Sequence, residues 1–261
     1  MSEFQNKVVC VTGASGAIGQ ALCQHFLNLQ ATIIALDFKQ EPLTQFIQSL
    51  KTDKIVSAVA DITDPAQVKS AIQKAVAQVG AVEILINNAG GSDNLTLKNM
   101  SIKGWQQDIN LNLSGAFYCV EAVREEMMQR KSGIIINISS VNALMAFGHP
   151  AYSAAKAGLI SYTKALAMEF GRFGIRANAI CPGTVRTPAW EARAKKNPKI
   201  FEQLIKWYPL HRFAEPIDIA YACAFLSSSQ AQAISGVILP IDSGLTAGNT
   251  VFASELTTET F

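Results

Sequence analysis

The sequence lacks any run of the ~18 uninterrupted apolar residues that a membrane span requires. Residues 1–7 are polar and have neither the charged start nor the apolar stretch of a secretory signal. No membrane association is expected, and the chain is read as cytoplasmic. Cysteine is scarce. Cys10, Cys23, Cys119, Cys181 and Cys223 are odd in number and widely spaced, with no CxxC among them. A disulfide framework and a thiolate metal centre are both excluded on that pattern, which leaves small core residues in a reducing compartment and no metal site. Charge of one sign is also missing. With 22 basic and 20 acidic residues the net charge is +2, and the basic residues are scattered, with no arginine-rich stripe and no zinc-finger spacing. No nucleic-acid partner is expected. Linkers, internal repeats and low-complexity tracts are absent as well.

What the chain does have is apolar surface to bury. Hydrophobic residues make up 49% of the 261 positions and charged residues 16%, enough for a large core and too apolar for global disorder. Short aliphatic runs recur at residues 8–11, 32–36, 55–59, 84–86, 134–138, 177–180 and 237–241. They are rich in β-branched residues and do not alternate in and out, which suits parallel strands covered on both faces. The stretches between them repeat apolar residues at helical spacing, as in Val68, Ile72, Ala75 and Val79. Asp64-Pro65-Ala66-Gln67 supplies an N-cap, a first-turn proline and a capping-box glutamine, and Glu215-Pro216 opens a later helix similarly. The expected fold is α/β: one doubly wound, Rossmann-like domain, a seven-stranded parallel sheet with helices on both faces. That domain spans residues 1–247, with a substrate lid at about 184–210. Residues 248–261 form a Thr-rich tail, either loosely held or resting on a neighbouring subunit.

The first run leads into Thr12-Gly13-Ala14-Ser15-Gly16-Ala17-Ile18-Gly19 at the start of a helix. Glycines at a strand-to-helix turn let the backbone approach a pyrophosphate, and the helix N-terminus adds unpaired N–H donors. The second run ends at Asp37, in place for a carboxylate that accepts both ribose hydroxyls of an adenosine and repels the extra phosphate of NADP. No Lys or Arg lies in the turn, although Lys39 is close. NAD is therefore expected over NADP. Asp61-Ile62 follows the third run, where the adenine would lie. Asn87-Asn88-Ala89-Gly90 follows the fourth, with Asn87 as support and Gly90 suited to a close backbone approach.

Tyr152-Ser-Ala-Ala-Lys156 puts a phenol and an ammonium four apart on one helical face. A free tyrosine titrates near ~10. Lys156 and a positive nicotinamide ring would stabilise its phenolate, and a fall of ~3 units corresponds to roughly 4 kcal/mol. Ser139-Ser140 ends the strand just upstream and offers a hydroxyl to hold a substrate oxygen beside the phenol. Asn112 sits inside a helical pattern starting near Trp105. Because Asn forms helix poorly, a buried amide bonded to backbone or water is expected there, able to hold a water chain leading to Lys156.

With these residues in order, the sequence resembles the short-chain dehydrogenase/reductase family, classical type, from residue 7 to about 245. The family's glycine motif falls on Thr12, Gly13 and Gly19, with Ala17 at a Gly-or-Ala position and Gly16 as an extra glycine. Its Asn-Asn-Ala-Gly motif falls on residues 87–90. The resemblance implies a catalytic tetrad of Asn112, Ser140, Tyr152 and Lys156. Val141 aligns Ser140, while the spacing to Tyr152 favours Ser139. The turn Pro182-Gly183, with Val185 and Thr187, resembles the family's contact with the nicotinamide carboxamide, and Arg212, Glu215 and Asp218 its structural motif before the late helix. Asp242-Ser243-Gly244 departs from the commoner Asp-Gly-Gly, with an effect expected on packing and not on catalysis. The implied activity is NAD-dependent interconversion of a secondary alcohol and a ketone, in a homotetramer.

Within residues 184–210, Phe201, Leu204, Ile205 and Tyr208 share a helical face, as a lid over the pocket would. Trp190 and Trp207 are candidate substrate contacts, and so is His149, three residues before Tyr152. The lid carries Arg186, Arg193, Lys195, Lys196 and Lys199. These are either a solvated face or the source of a cation, Arg186 or Arg193, that pairs with a substrate carboxylate or phosphate. Two rival functions remain: an NADPH-dependent reductase of 3-oxoacyl thioesters, against which Asp37 stands, and a non-catalytic dinucleotide-binding regulatory or assembly protein, against which the intact tetrad stands.

Overall fold

The computed structural model describes residues 3–260. The aliphatic runs form seven strands: β1 (Val8–Thr12), β2 (Thr32–Asp37), β3 (Ile55–Val59), β4 (Ile84–Asn87), β5 (Gly133–Ile138), β6 (Ile175–Pro182) and β7 (Ile238–Ile241). All pair in parallel, in the order β3-β2-β1-β4-β5-β6-β7. Strand order reverses between β1 and β4, and in open sheets of this kind the crevice at that point takes the ligand.

Both faces are covered, which is why the strands read as continuous apolar runs. On one side Val9, Val11, Ile33, Ala35, Ile84 and Ile86 meet helices α1 (Ala17–Asn28), α2 (Gln40–Leu50) and α9 (Pro216–Ser227). On the other, Val8, Cys10, Ile34, Leu36, Leu85 and Ile135 meet α3 (Pro65–Val79), α5 (Gly115–Arg130) and α6 (Pro150–Phe170). Phe26 of α1 is fully buried and packs edge-on to Phe4 at 5.3 Å; truncating such a ring costs about 3–5 kcal/mol. All five cysteines are buried and unpaired.

The expected N-caps form, but Gln67 closes no capping box: it accepts from the N–H of Asp61 and donates to the Asp64 carboxylate. Asp64 accepts from the N–H groups of Ala66 and Gln67 and starts α3. Asp218 accepts from the N–H of Glu215 at 2.8 Å and pairs with Arg212 at the head of α9. The helical stretch from Trp105 is not uniform: α4 (Ile102–Ile109) runs through one widened turn at Asn110–Ser114 before α5 begins. Such a π-type turn re-aims side chains and is frequent at functional sites.

Between β6 and β7 the chain forms α7 (Pro188–Lys196) and α8 (Ile200–Ile205). The helical face anticipated over Phe201, Leu204, Ile205 and Tyr208 forms only in part, because α8 ends at Ile205 and stops short of Tyr208. That residue is buried instead, with its hydroxyl on Thr184 Oγ1 at 2.7 Å. The tail contains α10 (Thr250–Thr257), capped by Asn249 on the N–H of Phe252. Phe261 lies outside the described residues. Ser243, where the family has glycine, holds a left-handed backbone with φ 54°. A side chain there costs roughly 1–2 kcal/mol relative to glycine, which is the physical content of that departure.

Candidate active site

The carboxyl ends of β4, β5 and β6, with Ile18 of α1, line a cavity of about 1030 Å³. Its rim begins at the turn after β1. Gly13 has φ +66°, and a Cβ there would lie 2.9 Å from the Cα of Ala89. The Asn88 side chain donates to the carbonyls of Thr12 (2.9 Å) and Gly13 (3.2 Å), and Thr12 Oγ1 accepts from the N–H groups of Asn88 and Ala89. Two strand ends are thereby laced together. A Cβ on Gly19 would fall 2.1 Å from the Gly13 carbonyl oxygen, so α1 can start hard against the turn. The helix begins at Gly16 with no side-chain cap and no acid in its first turn. A bare, donor-rich helix start framed by glycines fits a pyrophosphate.

Asp37 is buried at the end of β2. Its carboxylate accepts from the N–H (3.0 Å) and hydroxyl (2.7 Å) of Ser15 and from the N–H of Lys39 (3.1 Å). The Lys39 ammonium lies over the Phe38 ring, 5.3 Å from its centroid, and does not pair with Asp37. The negative charge that refuses a 2′-phosphate is therefore not offset, and the cofactor is NAD. Asp61 is exposed and turned toward Thr63, accepting from its N–H and hydroxyl, while Ile62 is buried. The Ile62 side chain packs so tightly on Gly115 that a Cβ on the glycine would come within 2.6 Å of it.

Tyr152 and Lys156 lie in the first turns of α6, which starts from Pro150 with His149 as N-cap. Lys156 is buried, donates from Nζ to the Ile138 carbonyl at 2.8 Å and sits 5.6 Å from the centroid of the Tyr152 ring. Burial pulls its pKa down to about 8, so the ammonium is mostly charged at pH 7. Burial also raises the Tyr152 phenol above its ordinary value, and the neighbouring Ser140 hydroxyl pulls the other way. The lowered phenol expected from the sequence requires a second positive charge, that of the nicotinamide ring, beside Lys156.

The two serines differ in what they touch. Ser139 donates its hydroxyl to the carbonyl of Lys156 at 2.9 Å. Ser140 faces Tyr152 and engages Asn142 through longer contacts of 3.2–3.3 Å. Asn112, in the widened turn, is buried, with its amide on the carbonyls of Gly91 (2.8 Å) and Asp108 (2.9 Å) and its oxygen on the N–H of Gly91 (2.9 Å). A Cβ on Gly90 would lie 2.6 Å from Asn112 Oδ1 and 3.2 Å from Lys156 Nζ. Asn112 and Lys156 thus meet at a glycine backbone that no larger residue could replace.

His149, Trp190 and Trp207 line the cavity with Pro182, Gly183, Val185 and Thr187. Arg186 is not among the described residues that line it. Its guanidinium is paired with Glu191 at 2.8 Å and stacked over Phe201. Two features were not legible beforehand. A buried polar chain runs from Asn87 Nδ2 to Asn137 Oδ1 (2.9 Å) and from Asn137 Nδ2 to Thr163 Oγ1 (2.9 Å), tying β4 and β5 to the helix that carries the tyrosine. The available signal was a lone Asn inside the apolar run of β5. The second is the Cys181 thiol, which lies beside Ser139 and Lys156 and which burial keeps protonated.

A dinucleotide crevice with an Asp at the second strand and a half-buried Tyr beside a buried Lys defines a nicotinamide-dependent oxidoreductase. A family model described as enoyl-(acyl carrier protein) reductase matches residues 13–246. The crystal structure of an oxidoreductase of the short chain dehydrogenase/reductase family from Burkholderia thailandensis shares 48% identity and a TM-score of 0.93, over 98% of each chain. An uncharacterised oxidoreductase of Schizosaccharomyces pombe is 38% identical over 256 residues, 98% of this chain and 96% of its own. An acetoacetyl-CoA reductase of an Acinetobacter species is 38% identical over 250 residues, 94% of this chain and 99% of its own. The chain belongs to the short-chain dehydrogenase/reductase family and is an enzyme of its oxidoreductase class acting on small organic substrates.

Proposed function

We propose that this enzyme interconverts a secondary alcohol and a ketone, with Tyr152 as the general acid–base. The observation that carries the reading is the convergence of Tyr152, Lys156 and Ser140 on one cavity beside the glycine cradle. NAD, when bound, supplies the hydride acceptor, or as NADH the donor. The backbone of residues 13–19, with Ser15, Gly16, Ala17 and Ile18, holds its pyrophosphate side. Asp37 takes the ribose, Asp61 and Ile62 border the adenine, and Asn88, Ala89 and Gly90 line the approach with Pro182, Gly183, Val185 and Thr187. Ser140 Oγ orients the substrate oxygen. Tyr152 Oη removes the hydroxyl proton in oxidation and returns it in reduction. Lys156 Nζ stabilises the phenolate, and Asn112 fixes the Gly90–Gly91 backbone along the path by which that proton reaches solvent.

Residues 184–210 act as the lid that excludes water, and His149, Trp190 and Trp207 contact the substrate. The exposed apolar residues Trp105, Phe117 and Met168 on α4, α5 and α6 support a homotetramer packed through those helices. Five buried unpaired thiols support a reducing, cytoplasmic setting. No helix among the described residues is long and apolar enough to cross a membrane.

The test is to mix the purified protein with NAD or NADP and a panel of secondary alcohols and follow nicotinamide reduction by absorbance. Reduction of NAD by at least one alcohol, with little of NADP, is expected. NAD binding without turnover of any alcohol or ketone would favour the non-catalytic alternative.

A further inference from the structure

Apart from Lys156, the only charged side chain on the cavity wall is Arg193 of α7; no Asp or Glu lines it among the described residues. Acids that contact lining residues are already engaged. Asp108 accepts from Ser92 and Asn94, Asp242 from Gly244 and Thr246, and Glu191 is held by Arg186. Arg193, in contrast, has no acidic partner among the described residues. Its guanidinium carbon lies 4.8 Å from the centroid of the Trp190 ring, and no hydrogen bond engages its donors among the described residues. A planar fork of this kind matches a carboxylate in bidentate fashion. Arg193 is solvent-exposed, and with charge of one sign on the cavity wall an anion is attracted from outside.

Resting on the alcohol–ketone reading above, we propose that the substrate is a hydroxy acid whose carboxylate pairs with Arg193 while its hydroxyl meets Tyr152 and Ser140. Oxidation breaks the C–H and O–H bonds of the carbinol. The hydride goes to NAD, the proton to Tyr152, and the product is the oxo acid. The carboxylate is unchanged and serves only as the handle. Trp190 keeps the guanidinium on the wall, which separates Arg193 from Arg186, Lys195, Lys196 and Lys199.

The experiment compares 2-hydroxybutanoate, 3-hydroxybutanoate and 4-hydroxypentanoate with their methyl esters, in wild type, Arg193→Gln and Arg193→Lys. At least one acid should exceed its ester in kcat/KM by about tenfold or more. Arg193→Gln should raise the KM of that acid about tenfold to hundredfold, leave kcat and the ester largely unchanged, and be partly rescued by Arg193→Lys. Binding of unreactive butanoate to the NAD-loaded protein, measured by calorimetry, should weaken in parallel in Arg193→Gln. Esters or neutral alcohols turned over as well as the acids overturn the proposal. So does an Arg193→Gln effect on the KM of NAD alone, or butanoate binding that is absent or insensitive to position 193. Full activity in Tyr152→Phe would instead overturn the catalytic reading, and the butanoate arm would still decide the role of Arg193.

Discussion

Replacing Asp37 by Asn removes one negative charge from the end of β2 while nearly keeping the side chain's shape. Asp37 is only 6% exposed, so its charge is poorly screened. Its bonds to Ser15 and Lys39, at 2.7–3.1 Å, aim it along the turn, and the amide oxygen of Asn retains an acceptor for Ser15. At a separation of ~4 Å and an effective dielectric near ~20, one pair of unit charges is worth about 4 kcal/mol. With allowance for solvent at the cavity mouth, roughly 2–4 kcal/mol of discrimination against a 2′-phosphate should disappear, a factor of about 30 to 1,000. The assay is initial rate against NAD and against NADP at a fixed saturating alcohol, compared as the ratio of the two kcat/KM values. Asp37→Asn should lower NAD efficiency about tenfold, for loss of charge-assisted bonds to the ribose, and raise NADP efficiency. A ratio that stays within threefold of wild type would refute the electrostatic reasoning, because the change removes charge and little else.

Ser140→Ala should lower kcat by about 100-fold or more if its hydroxyl orients the reacting oxygen as proposed. Ser139→Ala, which loses only a bond to the Lys156 carbonyl, should stay within about fivefold; steady-state kinetics of the pair read this out directly. Lys156→Met should abolish turnover yet stabilise the cofactor-free protein at pH 7 by roughly 3 kcal/mol, because burial lowers the lysine from its ordinary 10.5 to about 8. The folded state binds that proton less tightly than the unfolded chain, so the destabilisation is full below pH 8 and fades as pH rises from about 8 toward 10.5. Thermal melts at pH 7 and 10 should show the variant's advantage shrinking with pH, and a constant difference would contradict the burial argument. Because Tyr152 starts from a raised pKa, alcohol oxidation should climb toward alkaline pH, and ketone reduction should fall.

The strands were legible because burial on both faces demands unbroken aliphatic runs: β3 was read with its bounds as observed, and the ends of the others mostly shifted by one or two residues. The glycine turn, Asp37 and the spacing of Tyr152 and Lys156 were legible because each follows from local backbone geometry. What escaped depends on distant partners. The widened turn at Asn112 is set by the amide's bonds to Gly91, far away in sequence. Arg186 and Arg193 are indistinguishable as letters, yet Glu191 and Phe201 hold one off the cavity wall while Trp190 holds the other on it. Gly248 and Asn249 belong to a polar tail in sequence and to the cavity wall in space.

The most direct test is Tyr152→Phe, with NAD binding and alcohol oxidation measured on the same preparation. The phenol proton is the one group that this change deletes, and Lys156 keeps its bond to Ile138. NAD affinity within about threefold of wild type, together with a loss of turnover of about 1,000-fold, is the predicted result. Retention of more than about a tenth of the activity would contradict Tyr152 as the acid–base and move the proton to another group in the cavity.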